Sequence, residues 1–266
     1  MLTLASDFGS PYPAAMRGVI LAQTDDVEII DIAHDFPRQN VRTAAFWLRE
    51  ILPWFPPAVH CAVIDPGVGT DRAVLAVDAG EHVLVGPDNG LLAPVARKLA
   101  DDEPRWYRLQ EPDARSSTFH GRDVFAPLAA RLHGRRNESL KSESNLVEHA
   151  SPVDLSFPTP TIDGDRIVGE VLVVDGFGNA ITNIPGEHLD ELMGREVRVN
   201  GESVPVGRSY ASVEPGARLV TIGSHQNVEL AVNRGRGDAA FDLTVGDRFS
   251  LEPGVDVVEE PFEESG

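Results

Sequence analysis

The chain contains a single cysteine, Cys61, which excludes an internal disulfide framework. Set in an apolar run, it reads as a small core residue and not a reactive thiol. Lysine is almost as scarce: Lys98 and Lys141 are the only two, and arginine supplies the remaining positive charge. With 23 basic against 42 acidic residues, the formal net charge is −19. A surface this acidic repels phosphate backbones and anionic lipid, so neither nucleic-acid nor membrane partners are expected. Abundant carboxylates with so little lysine fit a protein solvated at high salt, as in a halophile's cytoplasm. No run approaches the roughly 20 apolar residues of a membrane span. The opening Met1-Leu2-Thr3-Leu4-Ala5-Ser6 lacks the basic-then-apolar layout of a signal peptide, which predicts a cytoplasmic protein.

Several chemical signatures are missing as well. Gly67-Val68-Gly69-Thr70 has no Gly-Lys-Ser/Thr ending, so there is no Walker loop, and no strand leads into Gly-x-Gly-x-x-Gly. The chain has no His-Glu-x-x-His and no paired Cys-x-x-Cys, so a structural zinc is not expected, and no residue is assigned to a metal. Gly223-Ser224-His225 does not complete a Gly-x-Ser-x-Gly nucleophile turn.

What is present alternates in the first half. Residues 2–5, 27–33 and 59–64 read as strands, separated by helical stretches at 14–21 and 41–52, the second with Asn40 as N-cap. Strand, helix, strand, helix, strand predicts a mostly parallel α/β sheet, whose ligands bind beyond the carboxyl ends of the strands. Those ends carry Asp7, His34-Asp35 and Asp65. Each alone is an ordinary turn-former; three on one sheet edge predict a site. Further strands are expected at 72–78 and 82–85, then helices after Asn89-Gly90 and over 124–132, where Asp123 is a candidate cap. Residues 134–163 are polar and aperiodic and read as a linker, dividing an N-terminal α/β domain (1–150) from a C-terminal domain (164–266). The latter has short strands at 166–174, 196–199, 218–222, 228–232 and 248–251, an Asn200-Gly201 hairpin turn and no long helix. A small antiparallel β-barrel is expected there, and the acidic stretch 259–266 is expected to fray.

Asp65 stands seven residues before Arg72, with a glycine-rich turn between them. The pair is either a plain salt bridge or, with His120 from Thr-Phe-His-Gly-Arg-Asp, a trio able to hold and polarise a water. An Arg-paired aspartate stays ionised, and a histidine passes protons near neutral pH. In the second half, Asp175-Gly176-Phe177-Gly178-Asn179 is a good turn. It also gathers a carboxylate, an aromatic face and an amide, a set that suits a purine and an ammonium group. Ser224 and Glu229 lie near a later strand, and 235–240 permits close backbone approach.

These stretches together resemble the S-adenosylmethionine hydroxide adenosyltransferases, relatives of the S-adenosylmethionine-dependent chlorinase and fluorinase. The matches are SDFG at 6–9, MRGVI at 16–20, IIDIAHDFPRQNVRTAAF at 29–46, VIDPGVGTDR at 63–72, VGPDNGLLAP at 85–94, STFHGRDVFAP at 117–127, DGFGNAITNI at 175–184 and GRGDAA at 235–240. The resemblance implies an N-terminal α/β domain, a C-terminal β-barrel and a homotrimer binding its small-molecule substrate between subunits. It implies hydrolysis of S-adenosyl-L-methionine at the ribose 5′ carbon without a cofactor, with Asp65, Arg72 and His120 holding the nucleophile. Halogenating relatives lack this acid, so Asp65 implies water over halide. Asp7 would grip the ribose hydroxyls, Phe177 stack on adenine and Asn179 bond its edge. Asp175 would pair with the methionine ammonium and Ser224 with its carboxylate, with Glu229 nearby. Two positions depart from the pattern: Ser10-Pro11-Tyr12-Pro13 offers no second acid after SDFG, and Asp238 replaces a common Asn.

Two rivals remain open on sequence. A metal-dependent phosphoesterase would use Asp7, His34, Asp65, Asp88, Asn89 and His120; a non-catalytic nucleoside-binding module would share the fold and the ligand.

Overall fold

A computed structural model describes residues 1–110, 112, 116, 118–135 and 139–254. Ser117 and the 259–266 stretch expected to fray lie outside the described residues. The chain divides into two compact units, Met1–Ser156 and Phe157–Gly266.

The first unit is built on a seven-stranded sheet: β1 (Leu2–Ser6), β2 (Ile29–Ala33), β3 (Val59–Val63), β4 (Val74–Ala79), β5 (His82–Pro87), β6 (Arg105–Leu109) and β7 (Leu146–Glu148). Their order is β2-β1-β3-β5-β4-β6-β7. The β2-β1, β1-β3 and β3-β5 pairs are parallel; the β5-β4, β4-β6 and β6-β7 pairs are antiparallel. Antiparallel pairing follows from the chain itself, because Gly80-Glu81 is too short for a crossover. β1 and β3 are buried along their whole length, as parallel strands covered on both faces must be.

Helices α1 (Tyr12–Leu21), α2 (Val41–Ile51), α3 (Ala93–Leu99) and α4 (Ala126–Gly134) cover the sheet. Helix α1 packs on α4, and α2 on α3. One core joins Leu2 and Leu4 to Met16 and Ile20 of α1 and Leu128 and Leu132 of α4. Asn40 caps α2 by accepting from the Thr43 N–H at 3.0 Å. Asp123, expected to cap the 124–132 helix, does not: a π turn over Gly121–Phe125 precedes α4, and the Asp123 carboxylate is paired with Arg122 at 2.6 Å. Cys61 is buried, and its surroundings push the thiol pKa up to about 12.

The second unit carries β8 (Thr161–Asp163), β9 (Arg166–Val174), β10 (Ala180–Pro185), β11 (Glu196–Val199), β12 (Glu202–Pro205), β13 (Arg218–Ile222), β14 (Asn227–Val232) and β15 (Arg248–Pro253). Their order is β12-β11-β15-β9-β10-β14-β13, with β8 beside β9. A bridge from Val206 to Val220 joins the two ends, so the antiparallel sheet curls into a nearly closed barrel around Val171, Ile184, Val220 and Leu230. The one α-helix among the described residues of this unit, α5 (Gly237–Phe241), is short. The aperiodic 134–163 stretch supplies β7 to one sheet and β8 to the other.

A buried polar chain crosses the first sheet away from the carboxyl edge. The Thr3 hydroxyl meets His60 Nδ1 at 2.8 Å, and His60 Nε2 meets His82 Nδ1 at 2.9 Å. Burial, with His82 adding to it, pushes the His60 pKa down to about 3; burial also lowers that of His82, opposed by Glu81. Both rings are therefore folded as neutral groups, whereas an unfolded chain protonates them below about pH 6.5. The contribution of His60 is complete above that pH and is lost as pH falls from 6.5 toward about 3, at about 1.4 kcal/mol per pH unit; that of His82 is lost in the same direction. In high salt, the thermal midpoint is expected to fall across this window, and His60→Gln should show a shallower fall than the parent. Parallel pH profiles of parent and variant would dismiss this linkage.

Candidate active site

Strand order places the first cluster. From β1 the chain moves to β2 on one side and later to β3 on the other, so the β1/β3 boundary is a topological switch point, where open α/β sheets form a crevice. A cavity of about 390 Å³ lies there, in the range of small-molecule sites. Asp7 and Phe8 enter it just after β1, Val63 and Asp65 at the end of β3, and His120 and Gly121 at the entry to the π turn. The cavity also takes in Tyr12, Arg38, Gln39, Val68, Thr118 and Phe119.

Asp65 and Arg72 meet, through Oδ2 and Nη2. The side chains are only 3% and 9% exposed. The intervening turn closes because Asp65 Oδ1 accepts from the Gly67 N–H at 3.1 Å and the Thr70 hydroxyl donates to the Gly67 carbonyl at 2.7 Å. Arg72 is fixed further by donating to the Ala73 carbonyl at 2.6 Å and by lying 5.3 Å from the Phe125 ring centroid. Burial is the largest influence on Asp65 and raises its pKa above the ordinary 3.8. Arg72, the Gly67 N–H and His120 pull the other way.

Asp7 is held by the Gln39 N–H, which donates to Oδ2 at 2.6 Å. Gln39 has a left-handed backbone (φ 61°) immediately before the Asn40 cap. One wall is aromatic: Phe119 meets Phe8 edge-on at 5.8 Å and Tyr12 at 5.4 Å. Gly121 has no side chain where a Cβ would stand 2.7 Å from Phe8, so any larger residue would displace that wall.

The rival metal-binding set does not converge. His34 Nδ1 bonds the Ser6 hydroxyl at 2.7 Å and its Nε2 bonds Asp31 at 3.0 Å. Asp88 accepts from His149 at 2.9 Å and from the Val153 N–H at 2.7 Å. Asn89 donates to the Ile64 carbonyl at 2.8 Å and accepts from the Leu91 N–H at 3.1 Å. These three organise turns and stand outside the cavity lining. Among the described residues, no group of three His, Cys, Asp or Glu is placed to hold a metal ion.

The second unit holds its own cluster. Asp175 Oδ1 accepts from the N–H groups of Phe177 (2.9 Å) and Asn179 (2.8 Å), which sets the turn, and Oδ2 accepts from Asn179 Nδ2 at 2.9 Å. Phe177 is 82% exposed. Ser224 lies in the exposed turn between β13 and β14. Glu229 is buried on β14, with both carboxylate oxygens engaged: His225 Nε2 lies 3.2 Å from Oε1, and the Tyr210 hydroxyl donates to Oε2 at 2.8 Å. Asp238 pairs with Arg236 at 2.6 Å. Tyr210 and His225 escaped the sequence reading. Tyr210 carries no motif, and His225 was visible only inside Gly-Ser-His, weighed as a nucleophile turn.

Known proteins resemble this chain along most of its length. Residues 2–141 match the SAM hydroxide adenosyltransferase N-terminal domain and residues 169–250 its C-terminal domain. The (R)-S-adenosyl-L-methionine hydrolase of Salinispora tropica is 38% identical over 259 residues, covering 95% of this chain and 98% of its own. A protein of the same name from Thermus thermophilus is 40% identical over 256 residues, covering 91% and 95%. The crystal structure of an uncharacterized conserved protein from Thermotoga maritima superposes with a TM-score of 0.84 at 31% identity, covering 94% of this chain and 99% of that one.

Proposed function

This chain belongs to the SAM hydroxide adenosyltransferase family, and on that footing we propose that it cleaves S-adenosyl-L-methionine with water to adenosine and methionine. The observation that carries the reading is Asp65, paired with the buried Arg72 and lining the same cavity as His120 at the switch point of the first unit. The names of its relatives, at 38–40% identity over more than nine-tenths of the chain, supply the substrate.

The reaction is a displacement. The water oxygen attacks the ribose 5′ carbon, the carbon–sulfur bond breaks, and methionine leaves as a neutral thioether with the bonding electron pair. One proton must be removed. Asp65 and His120 are the groups we assign to hold the water and accept that proton, with Arg72 fixing the carboxylate. Burial that raises the Asp65 pKa makes this carboxylate a better proton acceptor than a free aspartate. A sulfonium needs no acid and no Lewis acid to depart, so the protein's task is alignment and exclusion of bulk water, for which the aromatic wall is suited. We assign Asp7 to the ribose hydroxyls, Phe177 to the adenine face, Asn179 to its edge, Asp175 to the ammonium and Ser224 to the carboxylate. Glu229, buried and doubly paired, acts behind them.

Asp65→Asn is expected to lower kcat by roughly 10²–10⁴-fold with substrate affinity largely kept. In the parent, kcat/KM should fall on acidification at a pH above the ordinary aspartate range, because protonated Asp65 cannot accept the proton. Turnover at the parent rate in the variant, by chromatography of adenosine and methionine, would remove Asp65 from the mechanism.

The sulfonium argument makes the reaction independent of metal. EDTA should leave the rate unchanged; a loss reversed by magnesium or manganese would favour the phosphoesterase.

We further propose a homotrimer that joins the first unit of one copy to the second unit of its neighbour, with no macromolecular partner beyond copies of itself. Asp65→Asn and Phe177→Ala proteins, refolded together in high salt, should then regain activity that neither has alone. Mixed trimers without activity would place each site within one chain. High salt matters because a net charge of −19 drives subunits apart at low ionic strength.

A further inference from the structure

The Gly-Pro-Asp-Asn-Gly stretch at 86–90 does not line the cavity, yet it grips both ends of the turn that carries Asp65 and Arg72. Strand order makes this possible. β5 lies between β3 and β4, parallel to the first and antiparallel to the second. The connection from β3 to β4 must therefore cross the carboxyl end of β5, where residues 86–90 sit. Its two feet, Ile64 and Ala73, stand about two strand spacings apart, roughly 10 Å.

The feet are held by different means. On the β4 side the ladder simply continues. Val74 pairs with Pro87, and the Asp88 N–H then donates to the Ala73 carbonyl at 3.0 Å. Arg72 Nη1 donates to the same carbonyl at 2.6 Å, so this foot and the guanidinium share an anchor. On the β3 side the ladder stops at Cys61 and Val85. Ile64, the residue before Asp65, is tied back by a side chain: Asn89 Nδ2 donates to its carbonyl at 2.8 Å. The amide has one workable orientation, because Oδ1 accepts from the Leu91 N–H at 3.1 Å and the Ile64 carbonyl can only accept. The gripping turn is itself braced. Asp88 is held by His149 at 2.9 Å and by the Val153 N–H at 2.7 Å, and a Cβ on Gly90 would stand 2.8 Å from Leu155 Cβ.

We infer that Asn89 sets the geometry of the Asp65–Arg72 pair and is thereby a positioning residue for the hydrolysis. The inference deepens the proposed function and rests on it in taking Asp65 as the group that holds the water. The Ile64 carbonyl and the Asp65 nitrogen belong to one planar peptide unit, which turns as a whole. Releasing the carbonyl frees that plane, and the Asp65 side chain moves with it, while Arg72 stays on the Ala73 anchor. A misplacement of about 1 Å near a reacting group lowers the rate about 100-fold.

Two uncharged substitutions test this. Asn89→Ser keeps an acceptor for the Leu91 N–H but is too short to reach Ile64; Asn89→Ala loses both bonds. With S-adenosyl-L-methionine in high salt, each should lower kcat roughly 10- to 100-fold and leave KM within about 3-fold of the parent. In an Asp65→Asn background the same substitutions should lower kcat by less than about 2-fold more, because no carboxylate remains to be placed. A merely structural role would multiply the two losses, and that result overturns the inference. So does a kcat within about 2-fold of the parent in both variants. Thermal unfolding gives a reading that needs no turnover: Asn89→Ser should lower the midpoint less in the Asp65→Asn background than in the parent. Equal shifts overturn the inference. Should Asn89→Ala fail to fold, Asn89→Ser carries the test. A parent that leaves S-adenosyl-L-methionine intact sinks the proposed function, and the thermal comparison then decides whether Asn89 governs the pair.

Discussion

A carboxylate and a guanidinium almost withdrawn from water, Asp65 and Arg72, set the terms for the rest of the first unit. Removing one partner of such a pair costs about 3–5 kcal/mol, while a pair of apolar residues would often serve stability equally well. The pair is therefore better explained by what it does than by what it holds together. Its requirements spread outward. The 65–72 turn must close on itself, which the Gly67 N–H and Thr70 hydroxyl accomplish. Arg72 needs a surface that tolerates a cation, and Phe125 of the π turn provides a ring face. The same π turn begins immediately after His120, so one local distortion seats Arg72 and brings the imidazole to the cavity.

The second unit answers a similar problem by different means. Glu229 is as buried as Asp65, but no arginine meets it; His225 and Tyr210 share the carboxylate. A neutral hydroxyl donor neutralises less charge than a guanidinium, yet it fixes direction. The same hydroxyl oxygen accepts from the Asn179 amide at 3.2 Å. In the proposed reaction the buried acid of the first unit takes part in proton transfer, whereas that of the second is held in place by its two partners.

Much of this was legible in the sequence because parallel strands carry strong signals. Apolar runs ending in Asp7 and Asp65 placed both acids on the sheet edge, and the strand order delivered them to one cavity. His34 shared the pattern but not the outcome: it ends an outer strand and bonds back to Ser6 and Asp31. Pattern gives the edge of the sheet, while only strand order gives the crevice. Strands β7 and β8 were hidden because three-residue edge strands have no periodicity to read. β10 was hidden because its residues were read as a motif. The start of α4 was misjudged because a π turn has no distinct sequence signature, so Asp123 looked like a cap. Tyr210 was invisible for a deeper reason. Its importance lies in a 19-residue separation from Glu229 that exists only once β13 and β14 have paired.

The chemistry explains why so modest a constellation suffices. A sulfonium is already an activated leaving group, so no residue need protonate it and no metal need polarise it; what limits the uncatalysed reaction is the alignment of a weak nucleophile. Hydroxide meeting a sulfonium cancels charge along the reaction path, and a poorly solvated site favours that cancellation. The site must therefore admit one water while excluding the bulk. In the proposed reaction Phe8, Tyr12 and Phe119 would supply the exclusion and Asp65 would hold the water. The requirement also bears on the pKa of Asp65. Were arginine dominant, the carboxylate would be a poor base held firmly ionised; were burial unopposed, it would be protonated and useless. Burial outweighs Arg72 while Arg72 still opposes it, so the Asp65 pKa is raised above that of a free aspartate. An acid at this strand end therefore suits water, which must shed a proton to become a nucleophile. For a halide, which has none to shed, the same charge would only repel.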